Sequence, residues 1–93
     1  EVYCSIQDDD GYMWFGTDRG IVKFNGSKFI NYNSLNGLSG NVIFKMAKDY
    51  KGRIWFLASN KTLSYWDGTK IIPYKYNNEI LSFPDKKYFS NMK

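Results

Sequence analysis

The chemistry open to this chain starts with its carboxylates. Asp8, Asp9 and Asp10 stand in a row before Gly11, and oxygen-rich loops of this kind bind hard cations. The run lacks the rest of a calcium loop, including a bidentate glutamate. A matching turn at Asp49-Tyr50-Lys51-Gly52 has lost two of the three acids. The expectation is a hairpin turn in which an aspartate accepts backbone N–H bonds, with no metal held. Asp18 and Asp67 are the other acids to weigh, since glycoside hydrolysis needs two carboxyl groups converging across a cleft. They fall at the ends of different strands, and no arginine cluster accompanies them.

Nucleophilic and redox chemistry are poorly provided for. There are no histidines, which removes the commonest general base, the commonest metal ligand and a histidine phospho-acceptor together. Cys4 is the single cysteine; it allows no internal disulfide or multi-cysteine zinc site, and nothing nearby activates it as a nucleophile. We expect no catalytic residue, no metal and no cofactor. Trp14 and Trp55 could stack on sugars, but each is followed by a phenylalanine, Phe15 or Phe56, and packing between structural units is the better expectation. Two Asn-x-Ser/Thr patterns, at Asn25 and Asn60, are read as chance.

Charge points to few partners. The net charge is +4, with three basic and five acidic side chains in residues 1–41 and ten and four in residues 42–93. The lysines are spread singly, as at Lys45, Lys48 and Lys51, where a nucleic-acid site would cluster them with exposed aromatics. No nucleic-acid partner is expected. Mean hydropathy is −0.51, and no apolar run approaches the roughly 18 residues of a membrane helix. The chain begins at Glu1 without a basic-then-apolar signal, so any membrane link would lie in the parent protein.

The elements that must position these residues emerge from composition and self-comparison. Three Trp, eight Tyr and seven Phe make 19% of 93 residues, beside eight Gly and only two Pro; this mix favours strands and tight turns. Asp8, Gly11, Trp14 and Phe15 return 41 residues later as Asp49, Gly52, Trp55 and Phe56. After one inserted residue between Phe56 and Ser59, Ile21, Phe24, Gly26 and Tyr32 return 42 later as Leu63, Trp66, Gly68 and Tyr74. A period of about 40 residues is that of a four-stranded propeller blade. The first unit reads as strands over 2–7, 12–17, 21–24 and 28–32, and the second over 42–47, 53–58, 62–66 and 70–74. Asn25-Gly26 predicts a two-residue type I′ hairpin, and no stretch shows helical periodicity.

The fold class expected is therefore all-β: a β-propeller fragment of two four-stranded antiparallel blades. Blade 1 is placed at 1–33, an inter-blade link at 34–41, blade 2 at 42–76, and a tail or the start of a third blade at 77–93.

The string from Ile6 to Ile21, with Asp8, Gly11, Trp14-Phe15-Gly16-Thr17-Asp18 and Gly20, followed by Phe24-Asn25-Gly26, closely resembles the two-component regulator propeller repeat. A more diverged copy runs from Asp49 to Phe56 and through Tyr65-Trp66-Asp67-Gly68; the join from Asn36 to Ile43 also resembles that family's link. The resemblance covers residues 1 to about 76. It departs at Leu57-Ala58, which replace the Gly-Thr pair. The Asp8 turn is also similar to the Asp-box of sialidase propellers, itself a structural turn.

The resemblance implies a sensor region on the periplasmic side of the bacterial inner membrane, in a two-component sensor histidine kinase. Such a region binds an external signal, in many relatives a glycan fragment, and relays it inward. The partners implied are the remaining blades of the parent chain and a glycan or other small ligand. A protein-interaction propeller and a catalytic glycosidase-type propeller are the alternatives.

Strand alternation groups the loops between second and third strands with the link on one face. Asp18, Arg19, Asn36, Asn60 and Lys61 are the ligand-face candidates there, since binding residues concentrate on loops held by a rigid scaffold. Two blades leave both flanking sheet faces uncovered, so the isolated chain is expected to form a homo-oligomer.

Overall fold

The computed structural model describes residues 1–78. Of the expected tail or third-blade start at 77–93, residues 79–93 lie outside the described residues. The eight strands are β1 (Val2–Gln7), β2 (Met13–Thr17), β3 (Gly20–Phe24), β4 (Phe29–Tyr32), β5 (Ile43–Lys48), β6 (Ile54–Ala58), β7 (Leu63–Trp66) and β8 (Ile71–Pro73). They form two four-stranded sheets in the orders β1-β2-β3-β4 and β5-β6-β7-β8. Every pairing is antiparallel. The expected all-β pair of blades is the structure found.

The repeat extends to irregularities that the residue types do not announce. The β1–β2 register shifts between Val2 and Cys4, and the β5–β6 register shifts between Ile43 and Lys45. Tyr3 and Phe44, 41 positions apart, are thus the extra residues of equivalent bulges, and such bulges sharpen strand twist. The first hairpin of each blade also repeats: Asp8 N–H donates to the Tyr12 carbonyl and Asp49 N–H to the Arg53 carbonyl. Gly11 and Gly52 take φ of 90° and 81°, the left-handed position that completes a three-residue hairpin loop.

Two turns differ from or refine the sequence expectation. The Asn25-Gly26 hairpin pairs Phe24 with Phe29, so Gly26 and Ser27 are its central residues. Only Gly26 has positive φ, 101°, which is the type II′ pattern rather than type I′. The cause lies in the asparagine side chain: Asn25 Oδ1 accepts the Ser27 and Lys28 N–H groups at 3.0 and 2.8 Å. Asp67 Oδ1 does the same for Thr69 and Lys70. The inserted residue lengthens the two-residue β2–β3 loop, Asp18-Arg19, to three in blade 2, Ser59-Asn60-Lys61. Lys61 then occupies the left-handed region at φ 68°.

The link carries a single 3-10 turn at Ser34–Asn36, closed by a reciprocal cap. Asn33 Oδ1 accepts the Leu35 N–H at 2.8 Å, and Asn36 Oδ1 accepts the Asn33 N–H at 3.0 Å. Beyond it Leu38 enters the core, 4% exposed. That core lies between the sheets and joins Trp14 and Ile21 of blade 1 to Ile43, Met46, Ile54, Phe56 and Ile71 of blade 2. Trp14 is fully buried, with ring centroids 5.6 Å from Phe56 and 5.1 Å from Trp66. Gly16 makes the close approach possible: a Cβ there would stand 2.5 Å from Cys4 Sγ and 2.7 Å from the Ile43 carbonyl oxygen.

Candidate functional site

Two of the three acids of the first hairpin, Asp8 and Asp9, are engaged by the fold. Asp8 Oδ1 accepts the N–H groups of Asp10 and Tyr12, and Asp8 Oδ2 accepts Trp14 Nε1–H at 2.8 Å. Asp49 repeats the set on Lys51, Arg53 and Trp55, again with 2.8 Å to the indole. Each aspartate thus ties its turn to the tryptophan two positions into the next strand. Arg53 adds an ion pair to Asp49 at 2.7 Å. Burial pushes the Asp49 carboxyl up, but the bonds from Trp55 and Arg53 outweigh it and hold it at about 2. Asp9 reaches across the blades to Lys48 Nζ at 2.8 Å. Within the run Asp8 is a structural latch and Asp9 a tie between the blades.

The two tryptophans, equivalent in sequence, sit in different surroundings. Trp14 is closed between the blades, whereas Trp55 is half-buried on the far side of blade 2 against Tyr65 and Tyr74. Packing accounts for Trp14 in full and for Trp55 within its own sheet. A cation attends each ring. Lys23 Nζ lies 4.3, 4.9 and 4.5 Å from the Tyr12, Trp14 and Trp66 rings. Arg53 lies 5.4 and 5.3 Å from those of Trp55 and Tyr65. Tyr12 and Lys23 correspond to Arg53 and Tyr65, so cation and tyrosine have exchanged strands while the cation–π contact is kept. Sequence reasoning missed this set. Its only sequence signal is that exchange at matching positions.

Three of the five loop-face candidates are engaged in local structure. Asp18 Oδ1 accepts the Glu1 amino group at 3.1 Å, and Asp18 N–H donates to the Glu1 carbonyl. Its carboxyl is lowered chiefly by that hydrogen bond. Asn36 closes the link cap. Asn60 Nδ2 donates to the Ser39 carbonyl at 3.1 Å while its Oδ1 accepts the Thr62 N–H and hydroxyl. Asn60 therefore joins the link to the β6–β7 loop. Arg19 and Lys61 are exposed, and among the described residues their side chains have no hydrogen-bond or ion-pair partner. Arg19 and Lys61 are thus exposed cations on the two- and three-residue loops.

The two acids weighed for hydrolysis, Asp18 and Asp67, do not converge. Asp18 follows β2 at the loop end, and Asp67 follows β7 at the opposite end of its sheet. Burial raises the Cys4 thiol, so it stays protonated near neutrality. A recess of about 160 Å³ between the hairpin turns is lined by Asp8, Asp9, Lys51, Arg53 and Asp67 among others. Of its acids, Asp8 accepts the Trp14 indole N–H, Asp9 pairs with Lys48, and Asp67 Oδ1 accepts the Thr69 and Lys70 N–H groups.

A family profile described as two component regulator propeller matches residues 1–19 and 37–60. No curated protein matches the chain. The first segment spans β1, the latch turn and β2 of blade 1, and the second spans the end of the link, β5, the latch turn and β6 of blade 2. Two successive latch hairpins, one in each of two stacked four-stranded sheets, are therefore two repeats of the two-component regulator propeller family.

Proposed function

We propose that the chain is a non-enzymatic part of the β-propeller sensor region of a bacterial two-component sensor histidine kinase. In this reading the region lies on the periplasmic side of the inner membrane, binds an external signal at its loop end and passes the change to the kinase. The family match is the first support. The observation that carries the ligand face is Lys61. A lysine held at φ 68° costs about 1 kcal/mol that glycine would not, and non-glycine residues kept in such conformations concentrate at functional loops. Arg19, exposed on the matching loop of blade 1, gives the same end a second cation. Two cations on a firm scaffold suit a ligand with acidic groups, and a uronate-bearing glycan fragment has that chemistry.

The placement of Asp67 at the opposite end of its sheet from the β6–β7 loop and the burial that raises the Cys4 thiol support the non-enzymatic reading. The test is a signalling reporter driven by the parent receptor carrying Arg19→Ala and Lys61→Ala together. Acidic oligosaccharide fractions that activate the unaltered receptor should need about tenfold more material, as expected for losing one to two charge-assisted contacts. An unchanged dose response would reject the loop end as the contact site.

A further inference from the structure

The chain holds two Asn-Gly pairs, Asn25-Gly26 and Asn36-Gly37. In such a pair no side chain obstructs the glycine nitrogen from attacking the preceding side-chain amide carbon, a step that closes a five-membered succinimide and expels ammonia. Within a folded protein the reaction needs a glycine nitrogen free of other bonds and a loop with room to change shape. It is fastest where donors already surround the amide oxygen that takes up negative charge.

Asn25 meets all three conditions. Its Oδ1 accepts the Ser27 N–H at 3.0 Å, the Lys28 N–H at 2.8 Å and the Ser27 hydroxyl at 3.3 Å. These donors surround the oxygen that becomes an oxyanion when the amide carbon is attacked, and donors placed there beforehand lower the barrier. Gly26 N–H has no hydrogen-bond partner among the described residues. Asn25, Gly26 and Ser27 are exposed, so water reaches them, and a Cβ on Gly26 would meet nothing within 4 Å. Asn36 meets none of the three. Its Oδ1 accepts a single donor, Asn33 N–H; Gly37 N–H donates to the Ser34 carbonyl; and Gly37 lies so close to the Ile71 carbonyl that no Cβ would fit.

We infer that Asn25 is a site of self-modification by intramolecular deamidation. Gly26 N, having given its proton to solvent base, bonds to the Asn25 amide carbon. The bond from that carbon to the amide nitrogen then breaks, and ammonia leaves with a proton from water. A second water opens the succinimide to aspartate or isoaspartate, so the net reaction is asparagine plus water to aspartate plus ammonia. One negative charge is added to the hairpin. Blade 2 already shows how the turn holds an aspartate: Asp67, the equivalent of Asn25, accepts the Thr69 and Lys70 N–H groups at 2.8 and 2.9 Å. The bonds from Lys70 and Thr69 hold its carboxyl below the usual carboxylate range, and an ionised carboxylate resists attack by the following glycine. The aspartate form is therefore a stable end point, whereas isoaspartate lengthens the main chain by one carbon and displaces the cap.

Peptide mapping by mass spectrometry tests this on the full chain, incubated folded and in urea, at neutral and at mildly alkaline pH. In the fold Asn25 should convert at least about tenfold faster than Asn36, less than the loss of one oxyanion donor costs an enzyme. In urea both are plain Asn-Gly pairs, and their rates should come together. The folded Asn25 should react no more slowly than the unfolded one, and faster as pH rises. The inference is overturned if Asn36 keeps pace with Asn25 in the fold, or if folding slows Asn25. Asn25→Asp, which carries the aspartate product from the start, should unfold at the same urea concentration as the unaltered chain. A lower midpoint would overturn the claim that the turn accepts the change.

Discussion

At the residue scale the fold depends on a carboxylate that binds an indole. Asp49 accepts two backbone N–H groups, the Arg53 guanidinium and Trp55 Nε1–H; replacing it by alanine leaves several donors without their partner, and about 1–3 kcal/mol of stability should be lost in denaturant titration. The acid sensitivity follows from the direction of its shift. A carboxyl held at about 2 in the fold against roughly 3.9 unfolded contributes stability that is fully present above the unfolded value. That stability is lost as pH falls through the folded one. Stability measured by Trp fluorescence should therefore decline between about pH 4 and pH 2, and Asp49→Asn should flatten that limb. Lys61→Gly should raise stability by about 1 kcal/mol while weakening the signalling response; a loss of stability would show that the lysine side chain supports the loop. The turn role of Asp8 and Asp49 was legible from Asp–x–x–Gly before a strand. The indole bond was not, because it joins a turn to the opposite strand and depends on where the hairpin places the ring. Nor were the engaged side chains of Asp18, Asn36 and Asn60, whose partners are the amino terminus and backbone groups of the link.

At the element scale the blades are held in register by what lies between them. Leu38, six residues beyond β4, enters the core against Trp14 and Ile21, so Leu38→Ala should cost about 2–5 kcal/mol in thermal or chemical unfolding. Val42, the next aliphatic residue along the chain, is half-buried outside that cluster, and Val42→Ala is expected to cost less. The strands themselves were readable to within a residue or two at each end, because alternation and glycine turns bound them closely. The bulges at Tyr3 and Phe44 were not readable, since an extra residue in a strand leaves no mark in a short alternating run. The Asn25-Gly26 turn shows a different limit. The dipeptide signalled a hairpin correctly, and the asparagine side chain, by accepting the Ser27 and Lys28 N–H groups, set the turn type and moved the pairing by one residue.

For the whole molecule, the repeat was legible because it preserved turn glycines and aromatic positions together, and four strands per 41 or 42 residues leave little else but a blade. What one sequence could not show is that equivalent residues would have opposite fates. Trp14 and Phe56 are buried because they meet in the one closed interface, while Phe15 and Trp55 belong to the outer faces. Stacking is thus the property from which the burial of Trp14 and the need for Gly16 both follow. The most direct test is a nuclear Overhauser spectrum of the folded chain with its aromatic side chains assigned. Cross-peaks from the Trp14 indole to the rings of both Phe56 and Trp66 are expected from centroid separations of 5.6 and 5.1 Å. A Trp14 indole whose cross-peaks stay within residues 1–33, in a protein whose strands are otherwise formed, would contradict the stacked pair of blades.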